Sequence, residues 1–231
     1  MIEAKYRAVI FDLDGTLADT APDVHRSMNL LRRRHGLPPI SVEEAKKSIG
    51  PGPDRFVRHL APHAEPEKIR GIVREFREIY SQHLLDATRL FPGVRELLLE
   101  LHAIGVLLAV VTNKPVRFSE AILQGLGVAN LFGAVLGPEA VEHQKPAPDA
   151  ILKAMELLHA RRDETLMVGD TEYDIRAAKD AGVAVCAVAY GYSPPELLRS
   201  FQPDFLVERP GEILAIVAPA RAVGPAKSGQ K

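Results

Sequence analysis

Ala8-Val9-Ile10-Phe11-Asp12-Leu13-Asp14-Gly15-Thr16 joins an unbroken apolar run to two carboxylates, a glycine and a threonine. Such a run suits a strand buried on both faces, as in a parallel sheet. Asp12 and Asp14 flank a single residue, so both belong to the loop leaving the strand, and Gly15 lets the chain turn sharply there. Open α/β sheets bind ligands beyond the carboxyl ends of their strands. This strand end is therefore a candidate site, although the run alone is equally compatible with a polar turn.

After residue 90, short apolar runs alternate with stretches of helical period, the pattern of a parallel sheet covered by helices. Residues 106–111, 131–136, 165–168, 183–188 and 205–207 read as strands; Val94, Leu97, Leu98 and Leu101 mark the first intervening helix. Roughly 90 residues separate Thr16 from Val106, where a βα connection usually takes about 2–6 residues plus one helix. Inside that interval, helical period recurs at Val24, Met28 and Leu31 and again at Ile69, Ile72, Val73, Phe76, Ile79 and Tyr80. Gly36-Leu37-Pro38-Pro39 and Gly50-Pro51-Gly52-Pro53 interrupt it. The expectation is an α/β fold with a doubly wound parallel sheet from residues 1–17 and 89–218. A helical cap of about four helices is inserted over 18–88, and an unstructured tail rich in Ala, Pro, Gly and Lys occupies 219–231.

The chain has 231 residues, 46% of them hydrophobic, enough for one large domain or one carrying a smaller second. Basic residues number 29 and acidic residues 30, without a basic tract, which argues against nucleic acid as a partner. No apolar run approaches the ~18 residues that cross a bilayer. The few residues before the first strand leave no room for a cleavable leader. A cytoplasmic protein without a membrane partner is expected, and no feature sets an oligomeric state. Cys186, the single cysteine, lies in an apolar run and reads as a small buried hydrophobe.

In a parallel sheet all strands point the same way, so their carboxyl ends meet along one edge. Those ends carry Asp12, Asp14 and Thr16; Thr112 and Asn113; Lys145 in a following loop; and Asp170, with Asp174 one helical turn later. Four converging carboxylates would repel one another unless a cation compensated them. An oxygen-only donor set without a His or Cys cluster favours Mg²⁺, which takes a few carboxylates, water and phosphate. A lysine and a threonine hydroxyl then suit a phosphoryl group. None of the eight histidines shows metal-binding spacing, and only His143, close to Lys145, is worth watching. Lys114 reads as a solvated loop lysine and Arg32-Arg33-Arg34 as a solvated helix end.

At this point the chain resembles the haloacid dehalogenase superfamily of phosphohydrolases over about residues 6–217. Phe11-Asp12-Leu13-Asp14-Gly15-Thr16, Val111-Thr112-Asn113, Lys145-Pro146 and Gly169-Asp170-Thr171-Glu172-Tyr173-Asp174 look like its four motifs in order. Within it the chain looks most like the phosphoglycolate phosphatases, through Thr20-Ala21-Pro22-Asp23, Ile49-Gly50-Pro51-Gly52, Phe91-Pro92-Gly93-Val94 and Ala189-Tyr190-Gly191-Tyr192.

The resemblance implies that Asp12 is a nucleophile forming an aspartyl-phosphate, unprotonated at pH 7, and that Asp14 is general acid and then base. It implies Mg²⁺ on Asp12, Asp170 and the Asp14 backbone carbonyl, with Asp174 holding a bound water. Thr112, the Asn113 backbone amide and Lys145 would hold phosphate oxygens, with Thr16 orienting the loop. The implied partner is a small phosphorylated metabolite, 2-phosphoglycolate foremost, read by the cap loop, where Arg55 is the candidate cation for a carboxylate. Alternatives are a phosphatase for sugar phosphates, pyrophosphate or nucleotides, a sugar phosphomutase, or a non-catalytic homologue that binds a metabolite or protein. The last would be expected to lack Asp14 or Lys145. A phosphonate-cleaving enzyme would need a Schiff-base lysine in the cap; Lys46 and Lys47 are available without a pattern that singles out either.

Overall fold

The first apolar run becomes β1 (Ala8–Phe11), an inner strand of a six-stranded sheet. The computed structural model describes residues 4–51, 57 and 65–219. After β1 the chain forms β2 (Ala18–Asp19), then α1 (Ala21–Arg34), α2 (Val42–Lys46) and α3 (Pro66–Ser81), and returns through β3 (Arg89–Leu90). It continues through α4 (Val94–Ala103), β4 (Leu107–Val111), α5 (Val116–Gly125), β5 (Ala134–Leu136), α6 (Asp149–Leu157) and β6 (Thr165–Gly169). The remaining elements are α7 (Glu172–Ala181), β7 (Ala184–Val188), α8 (Pro195–Ser200), β8 (Phe205–Val207) and α9 (Gly211–Val217). Sheet order is β5-β4-β1-β6-β7-β8, with every pairing parallel.

Period-two alternation divides β1 between two layers. Ala8 and Ile10 pack with Ala109, Val111, Ile151 of α6 and Ile175 of α7, while Val9 and Phe11 pack with Leu98 and Leu101 of α4 and Ile122 of α5. Both faces being covered explains why the strand is apolar throughout. Cys186 is buried on β7, and burial, with Glu212 nearby, pushes its thiol up to about 12. No helix among the described residues is long and apolar enough to cross a membrane.

The helices between β2 and β3 bury a core of their own, which includes Val24, Met28 and Leu31 of α1, Ala45 of α2 and Ile69, Phe76 and Tyr80 of α3, closed by Phe118 of α5. Pro22 and Asp23 begin α1, and Arg32, Arg33 and Arg34 in its last turn complement the helix dipole from solvent. Ser41 and Glu44 form a capping box that starts α2. Three helices of this layer lie among the described residues, against the four expected; residues 52–56 and 58–64, Arg55 among them, lie outside. So does the tail after residue 219.

The structure adds a two-stranded antiparallel ribbon, β2 with β3, which the sequence reading missed because two residues per strand carry no period. The ribbon forms the crossing between core and helical layer, and Asp23 fastens it. Its carboxylate accepts from the Ala87 N–H at 3.0 Å, the Thr88 N–H at 2.8 Å and the Thr88 hydroxyl at 2.8 Å. Across the same junction the Tyr192 hydroxyl accepts from the Thr20 and Ala21 N–H groups at 2.8 and 3.0 Å and donates to Asp19 at 2.9 Å. Replacing Asp23 by Ala orphans two buried donors on Thr88 and frees the part-buried N–H of Ala87. Denaturant unfolding is expected to show a loss of roughly 2–4 kcal/mol, since each charge-assisted bond of this kind is worth about 1.5–3 kcal/mol and the losses are not additive.

Candidate active site

From β1 the chain builds outward through β4 to β5, then returns to the other side of β1 with β6. At such a reversal the neighbouring connections diverge and leave a crevice at the carboxyl edge. β1 runs into Asp12 and Asp14, and β6 into Asp170, so the first and last of the sequence motifs meet at this point. Asp12, Asp170 and Asp174 are buried and each offers an oxygen within 4.8 Å of the others.

Close backbone packing holds Asp170. Gly15 adopts φ +79°, and a Cβ there would fall 2.2 Å from Asp170 Oδ2; a Cβ on Gly191 would fall 2.3 Å from the Asp170 Cβ. The Thr16 hydroxyl donates to Asp170 Oδ1 at 3.0 Å and the Tyr192 N–H to Oδ2 at 2.8 Å. Thr16 thus acts on a carboxylate across the crevice rather than only within its own loop.

Lys145 is the hub of the cluster. Its ammonium donates to Asp174 Oδ1 at 2.6 Å and the Val111 carbonyl at 2.8 Å, and lies 3.0 Å from Asp12 Oδ1, which accounts for all three of its protons. Burial opposes its charge, but Asp12 and Asp174 outweigh burial and push its pKa up to about 12. The second Asp174 oxygen accepts from the Thr171 N–H at 3.0 Å and hydroxyl at 2.6 Å, at the start of α7. Asp174 therefore caps a helix and anchors Lys145 at once.

Asp14 is held by different groups. The Thr20 hydroxyl donates to its Oδ1, and the Lys114 ammonium lies 3.2 Å from the same oxygen while donating to the Tyr80 hydroxyl at 2.9 Å. Burial weakens the Lys114 charge, yet Asp14 and Tyr80 hold its pKa above the usual lysine range. Lys114 is thus a buried ion-pair partner, not the solvated loop lysine expected from its sequence context. Its one available signal was adjacency to Thr112-Asn113. Thr112 Oγ1 accepts from the Lys114 N–H at 3.2 Å, which leaves the hydroxyl proton to donate elsewhere. The Asn113 side chain donates to the carbonyls of Gly50 at 2.8 Å and Lys145 at 3.0 Å, joining the helical layer to the lysine loop. His143 is exposed and contacts Asp149, away from this cluster, and Lys46 pairs with Glu43.

A cavity of about 70 Å³ opens between strand ends and helical layer; Asp12, Asp14, Thr112 and Lys145 line it from the core, with Arg77 and Tyr80 facing them on α3. The expected cap cation Arg55 falls outside the described residues, and Arg77 is the residue that the sequence reading passed over.

The charge balance of the site fits a divalent cation. Among the described residues, the buried carboxyls of Asp12, Asp14, Asp170 and Asp174 face two buried ammonium groups, Lys114 and Lys145, an excess of two negative charges when all four are ionised. Desolvation pushes the Asp12 carboxyl up to about 7, and Asp174 and Asp14 add to this against the pull of Lys145. Desolvation also raises Asp170 well above the carboxylate range, helped by Asp12 and Asp174 and opposed by the Tyr192 N–H and Thr16 hydroxyl. Carboxylate donors of this kind suit Mg²⁺.

Comparison with known proteins agrees with this architecture. The sequence pattern of the haloacid dehalogenase-like hydrolases matches residues 9–188. A phosphoglycolate phosphatase of Vibrio parahaemolyticus is 36% identical over 225 residues, covering 94% of this chain and 99% of its own. An N-acetylmuramic acid 6-phosphate phosphatase of Pseudomonas aeruginosa is 34% identical over 224 residues, covering 94% and 97%. Among solved structures, a predicted phosphoglycolate phosphatase of Haemophilus somnus superposes with a TM-score of 0.85 at 32% identity, over 92% of this chain and 98% of that one.

The raised Asp12 pKa gives a pH dependence with a definite sign. Between the ordinary 3.8 and about 7, folded metal-free protein keeps a proton that the unfolded chain has lost, so this group's contribution to stability falls as pH rises. A cation competes with that proton. The gain in unfolding free energy on adding Mg²⁺ to chelator-treated protein is therefore expected to be larger at pH 7.5 than at pH 5; equal gains at both would contradict the assignment.

Proposed function

This chain belongs to the haloacid dehalogenase-like hydrolases, and from that membership we propose that it is a Mg²⁺-dependent phosphatase for a small phosphate monoester, 2-phosphoglycolate foremost. The observation that carries this reading is the meeting of Asp12, Asp14, Thr112 and Lys145 around one cavity at the reversal of strand order, with Asp170 and Asp174 buried beside Asp12. Asp12, Asp170 and the Asp14 backbone carbonyl would hold Mg²⁺, with Asp174 behind them. When bound, the ion would supply the positive charge that the four carboxylates lack and neutralise charge on the phosphate oxygens.

Asp12 attacks phosphorus, forming a P–O bond to its carboxylate as the bond to the leaving oxygen breaks, and Asp14 gives that oxygen its proton. Water then attacks the same phosphorus, Asp14 takes up the water's proton, and Asp12 leaves as carboxylate while inorganic phosphate is released. Lys114 and the Thr20 hydroxyl both hold Asp14 Oδ1, so Oδ2 is the oxygen assigned to proton transfer. The Thr112 hydroxyl, the Asn113 amide and the Lys145 charge act on phosphate oxygens in the transition state. Residues 18–88 act as the cap, excluding water and reading the organic part of the ester.

Purified protein with Mg²⁺ is expected to release inorganic phosphate from 2-phosphoglycolate and from p-nitrophenyl phosphate without any added sugar bisphosphate. A strict need for a bisphosphate would point instead to a phosphomutase. Asp12→Asn is expected to lower kcat by about 1,000-fold or more, and Asp14→Asn by roughly 100- to 10,000-fold, the range of general acid–base catalysis. Full activity in the Asp12 variant would exclude the covalent route.

A further inference from the structure

We propose that Arg77 is the specificity residue of this site, receiving a carboxylate at the end of the substrate opposite the phosphate. The inference rests on the phosphatase reading above and adds to it the group that selects the ester. Arg77 lies on α3, on the cap side of the same cavity that Asp12, Thr112 and Lys145 line from the strand ends. A molecule spanning this cavity with its phosphate at the core therefore presents its other end to Arg77.

The guanidinium is also incompletely bonded. Arg77 Nε is buried and has no hydrogen-bond partner among the described residues, whereas Arg70 on the same helix is exposed and donates to Glu67. A buried N–H of a charged group without an acceptor is costly, and native proteins seldom leave one unless a ligand or an ordered water supplies the acceptor. The lysines facing the cavity are already engaged: Lys145 with Asp12, Asp174 and Val111, and Lys114 with Asp14 and Tyr80. Arg77 is the cation left on that wall that pairs with no acid among the described residues, and its planar fork matches a carboxylate in bidentate fashion.

Access has the same sign. Arg77 also lines an outer groove of about 540 Å³ together with Arg70, Arg74 and Arg117, with Glu78 as its acid. Arg77 thus lies between the cavity and a predominantly positive surface, which raises the local concentration of anions. Both named substrates of the relatives, phosphoglycolate and N-acetylmuramic acid 6-phosphate, are phosphate esters of carboxylic acids.

The test compares 2-phosphoglycolate with 2-hydroxyethyl phosphate, which has a neutral hydroxyl in place of the carboxylate. Both are assayed with Mg²⁺ in wild type, Arg77→Gln and Arg77→Lys, with p-nitrophenyl phosphate as a third ester. Wild type is expected to prefer the carboxylate ester in kcat/KM. Arg77→Gln is expected to reduce that preference by roughly 10- to 100-fold, chiefly through KM, as for loss of one charge-assisted contact. Arg77→Lys should recover part of it, because an ammonium keeps the charge and loses the fork. Each variant is read as a ratio between esters, so a general loss of folded protein does not imitate the result. A ratio in Arg77→Gln within about twofold of wild type overturns the assignment while leaving the phosphatase reading intact. Wild-type protein that hydrolyses none of the three esters overturns both.

Discussion

Four carboxylates are kept together in a buried site by two lysines, and most of the chain serves that arrangement. Two unit charges about 4 Å apart interact by roughly 4 kcal/mol at the effective dielectric near a protein surface. A cluster of acids therefore forms only if the backbone forces it and cations offset it. Lys145 offsets the Asp12 and Asp174 pair, and Lys114 offsets Asp14. Burial first, and then the neighbouring carboxylates, raise Asp12 and Asp170, and the residual excess of negative charge makes a divalent cation a complement to the site rather than an addition to it.

The backbone does the forcing through sheet order. Placing β6 beside β1, with β4 on the other side, brings Asp170 to Asp12 and lets Thr16 reach across to Asp170. Gly15 and Gly191 permit the approach, since a side chain at either would occupy the Asp170 carboxylate's space. Helical layer and sheet are fastened by the same logic. Asp23 and Tyr192 bind backbone groups at the crossing, and Asn113 and Lys114 extend from the core to Gly50 and Tyr80 of the helical layer. The groups proposed to act on substrate are thus wired to the layer that would cover it.

Much of this was legible before any coordinates. The apolar strands of the sheet announced themselves because both faces are covered, and α3 did so through the period of Ile69, Ile72, Val73, Phe76, Ile79 and Tyr80. The strand-end acids, Thr112 and Lys145 stood out because a buried strand rarely runs into so many polar groups. The β2–β3 ribbon left no such trace, and α8 and α9 were too short for a periodic signal. Lys114 was misread because a lysine beside a proline in a loop is usually solvated, and nothing local reveals that Asp14 and Tyr80 will enclose it. Arg77 was overlooked for a related reason: on a helical projection it is one polar residue among several on α3.

The sequence by itself determined the type of the longer elements, the order of the sheet strands along the chain and the inventory of groups at their ends, because periodicity and turn chemistry are local properties. Tertiary structure decided which of those groups share charge. Lys145 meets Asp174 across 29 positions of sequence, Thr16 meets Asp170 across 154, and Tyr192 meets Thr20 across 172. Such pairings follow from sheet order and from the packing of the helical layer, and Coulomb energies act over ångströms of space rather than along the chain. Hence the groups proposed to react could be read as a set from the residues alone, while their partners, and the arginine that faces them, emerge only once the strands stand side by side.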